Sequence, residues 1–194
     1  MKKVFSILLA LACLLTPLTT FAVDLEQDMI PQTKVAYLYD DEGNCVEVIG
    51  HLVEANPIHI LSEDESTSLT YAFDLRATIF DSKLEQNPDA QNVSTVYSTI
   101  SYYQDGSSYL LTSVAGSWTI YNSAASVRSA VVEYSCFSGE SPAASGIRSV
   151  SNDFYIGTGF STYVSGFGLT VGANLSLTYV MNSRTWTFTL PNFI

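Results

Sequence analysis

Histidine and cysteine are the residue types best suited to metal binding and nucleophilic catalysis, and both are scarce in this chain. Cys45, His51 and His59 follow one another as Cys-x5-His-x7-His, a spacing that matches no compact zinc site. A cysteine nucleophile would need a histidine beside it, and no local pattern places one next to Cys45 or Cys136. We therefore expect structural histidines, no metal and no cofactor.

Three segments carry part of a chemical motif without completing it. Gly159–Tyr163 begins like the Gly-x-Ser-x-Gly turn of serine hydrolases but ends in tyrosine. Gly157–Gly159 lacks the third glycine and the following helix of a dinucleotide loop. Asp40–Asn44 combines carboxylates with a turn, which permits weak calcium binding, but it lacks the glycine and glutamate positions of a helix-loop-helix calcium site.

Carboxylates brought together from distant strands are the one enzymatic arrangement that these spacings leave open. Glycoside hydrolases act through two such groups, which need not be close in sequence. By residue type alone the candidates are Asp74, Glu133 and Asp153. We expect no enzymatic activity, and a secreted hydrolase of this kind is an alternative.

Aromatic residues are the remaining candidates for a functional surface, since the chain contains 12 Tyr, 10 Phe and 2 Trp. Flat rings exposed on a rigid sheet can stack on sugars or anchor a protein partner. The alternative is that Trp and Phe fill the core while Tyr lies at its rim. The candidate binding residues are Tyr102, Tyr103, Tyr109, Trp118, Tyr155 and Trp186.

Apolar and polar residues alternate along most of the chain, which is the pattern of half-buried strands. Leu69–Ile79 and Leu169–Tyr179 both place apolar residues at every second position. Asp105-Gly106 and Asn182-Ser183 are turn signals between such runs, and Ser138–Ser149 reads as the longest loop. These features predict an all-β chain, an antiparallel β-sandwich of about nine or ten strands.

The first 22 residues have the layout of a secretory signal peptide. Two lysines precede an apolar run that is too short to span a membrane comfortably, and cleavage is expected between Ala22 and Val23. Lipidation at Cys13 is the alternative. We predict a signal helix at 1–22, an acidic leader at 23–33 and a single all-β domain at 34–194, with no membrane insertion after processing.

Charge and cysteine content limit the partners and the redox state. The formal net charge of −11 should repel phosphate backbones, so no nucleic-acid partner is expected. Cys45 and Cys136 remain after processing, and an exported pair permits a disulfide. Two buried free thiols are the alternative, because spacing cannot show that the two side chains meet.

The signal segment and the run Tyr109–Ile120 resemble small, uncharacterised secreted proteins of Gram-positive bacteria. The resemblance implies secretion and an all-β fold, and it implies no activity.

We therefore expect a secreted, non-catalytic binding module that acts at or outside the bacterial cell surface on a protein or carbohydrate partner. A coplanar cluster of exposed rings would favour sugars, and a flat apolar patch would favour a protein. A small outer-membrane β-barrel is a further alternative, because of the alternating strands and the C-terminal Phe193-Ile194.

Overall fold

The computed structural model describes residues 30–58, 65–76, 80, 92–139 and 141–194. Contacts between Cα atoms separate Met1–Pro31 from a compact unit at Gln32–Ile194, and every described strand belongs to the second unit. The strands are β1 (Thr33–Tyr39), β2 (Cys45–Ile58), β3 (Glu65–Arg76), β4 (Asn92–Asp105), β5 (Ser108–Ile120), β6 (Ala125–Ser138), β7 (Ser141–Ser149), β8 (Phe154–Gly157), β9 (Thr170–Met181) and β10 (Arg184–Phe193).

These strands form one antiparallel sheet of 10 strands in the order β7-β6-β9-β10-β1-β2-β3-β4-β5-β8. The sheet is strongly curled, so β5 near one end contacts β6 and β9 near the other. The predicted all-β class and strand number are confirmed. The predicted sandwich is not, because the strands belong to one sheet rather than two. The predicted signal helix lies outside the described residues.

The first and last strands pair with each other near the middle of the sheet. Leu38 of β1 lies opposite Phe188 of β10, and Tyr37 lies opposite Thr189. On one side of this junction β1 to β5 follow one another as a meander, and on the other side β10 continues into β9 and β6. The β1–β10 pairing therefore joins the two halves of the sheet.

The inner face of the curled sheet holds the core. Successive side chains of a strand point to opposite faces, so the predicted alternation buries one apolar set. Phe80 packs edge to face against Trp186, with ring centroids 5.3 Å apart, and it also contacts Tyr179. The largest fully buried side chains are Tyr71, Tyr179, Phe73, Phe188, Leu38, Leu69, Leu75, Ile100, Leu111, Leu175, Leu177 and Leu190.

At the centre of the inner face, rings from β3 and β10 meet across the two strands between them. Phe73 and Phe188 pack edge to face, with ring centroids 6.0 Å apart. Gly50 of β2 lies opposite Phe73, and a Cβ atom on Gly50 would lie 2.4 Å from the Phe73 ring. Ala36 of β1 is also small and fully buried. Small residues on β1 and β2 therefore leave room for the large rings of their neighbours.

The outer face of β3 and β4 carries polar pairs directly opposite each other. The hydroxyls of Ser68 and Ser101 are 3.0 Å apart, and those of Thr70 and Thr99 are 2.9 Å apart. Thr95 donates a hydrogen bond of 2.6 Å to the carboxylate of Asp74. Such cross-strand pairs stabilise a sheet modestly, by about 0.2–1 kcal/mol each.

The predicted loop at Ser138–Ser149 is wrong, because Ser141–Ser149 forms β7 on the edge of the sheet. Gly146 lies opposite Tyr134 of β6, and a Cβ atom there would lie 2.3 Å from the Tyr134 ring. The small residue that suggested a loop is therefore what allows this strand to pair. Pro142 is compatible with an edge strand, where a missing N–H costs no ladder bond.

Two predicted turns are confirmed. Asp105 pairs with Ser108, and Gly106 between them has a φ of 58°. Asn182 and Ser183 connect β9 to β10 with φ values of 52° and 66°. Positive φ at both central residues is the geometry of the tight hairpin turn that suits twisted strands.

Replacing Gly50 with alanine should lower the free energy of unfolding by about 1–3 kcal/mol, because the new methyl group overlaps the buried Phe73 ring. Gly157→Ala is the control, since a Cβ atom on Gly157 meets nothing within 4 Å. Urea unfolding should show a large decrease in the free energy of unfolding for Gly50→Ala and not for Gly157→Ala. The double variant Gly50→Ala/Phe73→Leu should recover part of that loss, and equal effects at Gly50 and Gly157 would contradict the packing described.

Candidate binding surface

The six predicted binding aromatics do not share one exposed surface. Tyr102 and Trp186 are buried on the inner face, which leaves them no area for a ligand. Only Tyr155, on edge strand β8, is largely exposed, at 74%.

Tyr103, Tyr109 and Trp118 are half-buried. The Tyr109 ring lies against Tyr102, with centroids 5.9 Å apart, so this pair extends the core towards the β4–β5 turn. The backbone of Trp118 exchanges hydrogen bonds of 2.8 Å with the Asn152 side chain.

The three candidate hydrolase carboxylates lie on different elements of the sheet. Asp74 is on β3 and Glu133 on β6, both on the outer face, and four strands lie between them. The two carboxylates therefore lie on strands that do not pair with each other. Asp153 lies in the turn before β8 with a φ of 60°. Within the described ranges, no group of three or more His, Cys, Asp or Glu side chains could hold a metal ion.

The Asp40–Asn44 turn uses its carboxylate internally. Asp40 Oδ1 accepts the backbone N–H groups of Glu42 and Asn44 at 3.0 and 2.8 Å, and Oδ2 accepts the Asn44 side-chain amide at 2.9 Å. Arg184 binds Asp41 at 2.8 Å and approaches Asp40 at 3.5 Å. The hydrogen bond from Asn44 is the main reason that the pKa of Asp40 lies below its usual value. Both oxygens of the Asp40 carboxylate are therefore occupied by hydrogen bonds within the turn.

The predicted disulfide between Cys45 and Cys136 is not shown, and both cysteines are free thiols. Cys45 lies at the exposed start of β2, opposite Tyr39 on the outer face. Cys136 is fully buried on β6, its Sγ lies 3.7 Å from the Tyr109 carbonyl oxygen, and burial raises its pKa. The two residues therefore lie on opposite faces with β9, β10 and β1 between them.

An exposed apolar area on the outer face of β1 and β2 was missed by the sequence predictions. Val35 lies opposite Ile49, and the two are 37% and 60% exposed. Tyr37 and Tyr39 follow on the same face of β1, and Tyr39 is 38% exposed. We call Val35, Tyr37, Tyr39, Glu47 and Ile49 the β1–β2 patch. The signal that could have revealed it is the run Val35–Tyr39, which is apolar on both faces of the strand.

Glu47 is the charged member of the β1–β2 patch. It lies directly opposite Tyr37 and is exposed. Its carboxylate has no hydrogen bond or ion pair with any other residue that the structure describes. The rings of Tyr37 and Tyr39 beside it are tilted by 35°, with centroids 6.5 Å apart.

Three of the other exposed apolar side chains lie on other elements than β1 and β2. Ile147 is on edge strand β7, Tyr155 on edge strand β8, and Phe167 in the segment between β8 and β9. Single exposed apolar residues are common on protein surfaces, whereas a contiguous group suggests an interaction site. The β1–β2 patch is therefore the stronger candidate.

No protein family, curated protein or solved structure matches this chain. In the part of the chain that the structure describes, no helix is long and apolar enough to cross a membrane.

Acid should destabilise the protein partly through Asp40. A lowered pKa in the folded state means that the stabilising contribution is present above the usual carboxyl pKa and is lost as the pH falls through the folded value. We expect the melting temperature to fall between pH 5 and pH 2.5, and to fall less steeply in Asp40→Asn. Asp105→Asn, in another exposed turn, should keep the steep dependence, and identical profiles for all three proteins would contradict the role of Asp40.

The two thiols should differ strongly in reactivity. In the native protein iodoacetamide should alkylate Cys45 at least ten times faster than Cys136, because only Cys45 is exposed and burial holds Cys136 as the thiol. Peptide mass spectrometry of timed samples measures both rates. In denaturant the two rates should become similar, and a native protein that resists alkylation at both sites would contradict the exposure of Cys45.

Proposed function

We propose that this protein is an exported, non-catalytic binding module that acts at or outside the cell surface and binds a protein partner through the β1–β2 patch. The observation that carries the proposal is the exposure of Val35, Tyr39 and Ile49 on one face of two adjacent central strands. Exposed apolar groups on a rigid sheet are costly in water unless a partner covers them. Export is supported by the three-part layout of residues 1–22.

The composition of the β1–β2 patch favours a protein over a carbohydrate. Sugar stacking needs exposed rings that form a flat platform, whereas Tyr37 and Tyr39 are tilted by 35°. The most exposed member is the aliphatic Ile49, paired with the aliphatic Val35. The buried centre of a protein–protein interface is more apolar than the rest of the surface and is enriched in tyrosine.

The separate positions of the candidate carboxylates support a non-catalytic role. Four strands lie between Asp74 and Glu133 in the sheet, and the Asp74 carboxylate accepts a hydrogen bond from Thr95. The chain's net charge of −11 supports a partner other than nucleic acid. We propose that the same charge keeps the exported chain soluble.

The test is to crosslink the tagged wild-type protein on intact cells and to compare it with the double variant Val35→Thr/Ile49→Thr. Threonine keeps the β-branched shape and removes apolar surface from the β1–β2 patch. Val131→Thr is the matched control, because Val131 lies on the outer face of β6 opposite Ser176. We expect one crosslinked protein to be recovered equally with wild type and control, and about tenfold less with the double variant.

Equal recovery with all three proteins would contradict the role of the β1–β2 patch. Binding to a glycan array that is lost in the double variant, without any crosslinked protein, would contradict the protein partner. An uncleaved chain found only in the cytosol would contradict export.

A further inference from the structure

We infer that the β1–β2 patch recognises an arginine-bearing apolar segment of its partner, with Glu47 as the specificity-determining group. This inference rests on the proposed function and names the chemistry of the partner. It starts from an exposed carboxylate, Glu47, that lies opposite Tyr37 and has no partner among the described residues.

A guanidinium group fits this arrangement better than any other side chain. It is planar, so it can stack on a tyrosine ring and at the same time form two parallel hydrogen bonds with a carboxylate. Tyr37 and Tyr39 supply rings on β1, and Glu47 supplies the carboxylate on the neighbouring strand β2. Val35 and Ile49, next in the register, can cover an apolar side chain that adjoins the arginine.

The charges around the β1–β2 patch also favour a cationic partner. Continuing the β2–β3 register by one residue from the Gly50–Phe73 pair sets Asp74 beside Ile49. Glu42 lies in the turn that follows Tyr39 and forms no ion pair among the described residues. Carboxylates that surround an apolar surface accelerate and orient the binding of a basic segment.

The basic side chains nearby offset only part of this effect, because two of the three are already engaged. Arg184 is already bound to Asp41, and Lys34 lies on the inner face, where its Nζ donates to the Phe193 carbonyl oxygen. Arg76 is exposed on the outer face of β3 and is the neighbouring cation that forms no ion pair among the described residues. A second copy of this chain would bring a net charge of −11 to the same surface, so self-association is the less favourable use of it.

The experiment measures the binding of a fluorescein-labelled hexapeptide of alternating leucine and arginine to the purified protein by anisotropy, at low salt. Matched peptides replace arginine with lysine or with citrulline, which is neutral but keeps the planar shape. We expect arginine to bind most tightly, then lysine, then citrulline. Binding of the arginine peptide should weaken as salt is added, because the contact is exposed.

Two variants locate the contact. Glu47→Gln removes one charge and should weaken binding of the arginine peptide about 2–5-fold, which is the range for an exposed ion pair. Glu133→Gln is the control, because Glu133 is an exposed glutamate on the outer face of β6, opposite Asn174. It should leave the affinity unchanged. The bound arginine peptide should also slow alkylation of Cys45, which lies opposite Tyr39.

Equal affinities for Glu47→Gln and Glu133→Gln, or equal affinities for the arginine and citrulline peptides, would overturn this inference. The proposed function would still be supported if Val35→Thr/Ile49→Thr no longer crosslinks the partner. It would be contradicted if that variant crosslinks the partner as well as wild type does. A dimer found by sedimentation, and lost in the same double variant, would show that a second copy occupies the β1–β2 patch and would also overturn the inference.

Discussion

The edge-to-face contact between Phe73 and Phe188 is the interaction on which the rest of this sheet depends. The two rings come from β3 and β10, and Phe73 occupies space that a side chain at Gly50 of β2 would fill. Interior packing is dense, so a large residue on β2 would displace a ring rather than fill a gap. The packing of these two rings at the centre of the inner face thus depends on the absence of a side chain at Gly50.

The β1–β2 patch lies on the opposite face of the same two strands. At Gly50 the inner face of β2 carries no side chain, and the Phe73 ring occupies that space. Leu38 and Val48 are buried on the inner face of β1 and β2, while Val35 and Ile49 lie on the outer face. Both strands therefore carry apolar side chains on both faces.

Local alternation was enough to predict strands and tight turns, because those depend on neighbouring residues. It could not predict which strands pair, so the β1–β10 junction and the single sheet were missed. Small residues were misleading at Gly146, where the glycine accommodates the Tyr134 ring. For the candidate site, residue type did not show which face a ring would occupy: Tyr102 is buried and its neighbour Tyr103 is on the other face. Residue type likewise did not show that Cys45 and Cys136 lie on opposite faces of the sheet.

The antiparallel pairing of β1 with β10 affects the order in which the sheet can fold. Strand β10 lies between β9 and β1. Without it, β1 and β9 would each have an unpaired edge in the middle of the sheet. The junction between the two halves of the sheet can therefore form only after β10 has been synthesised. Closure between strands that are so far apart in the sequence is slow compared with local pairing.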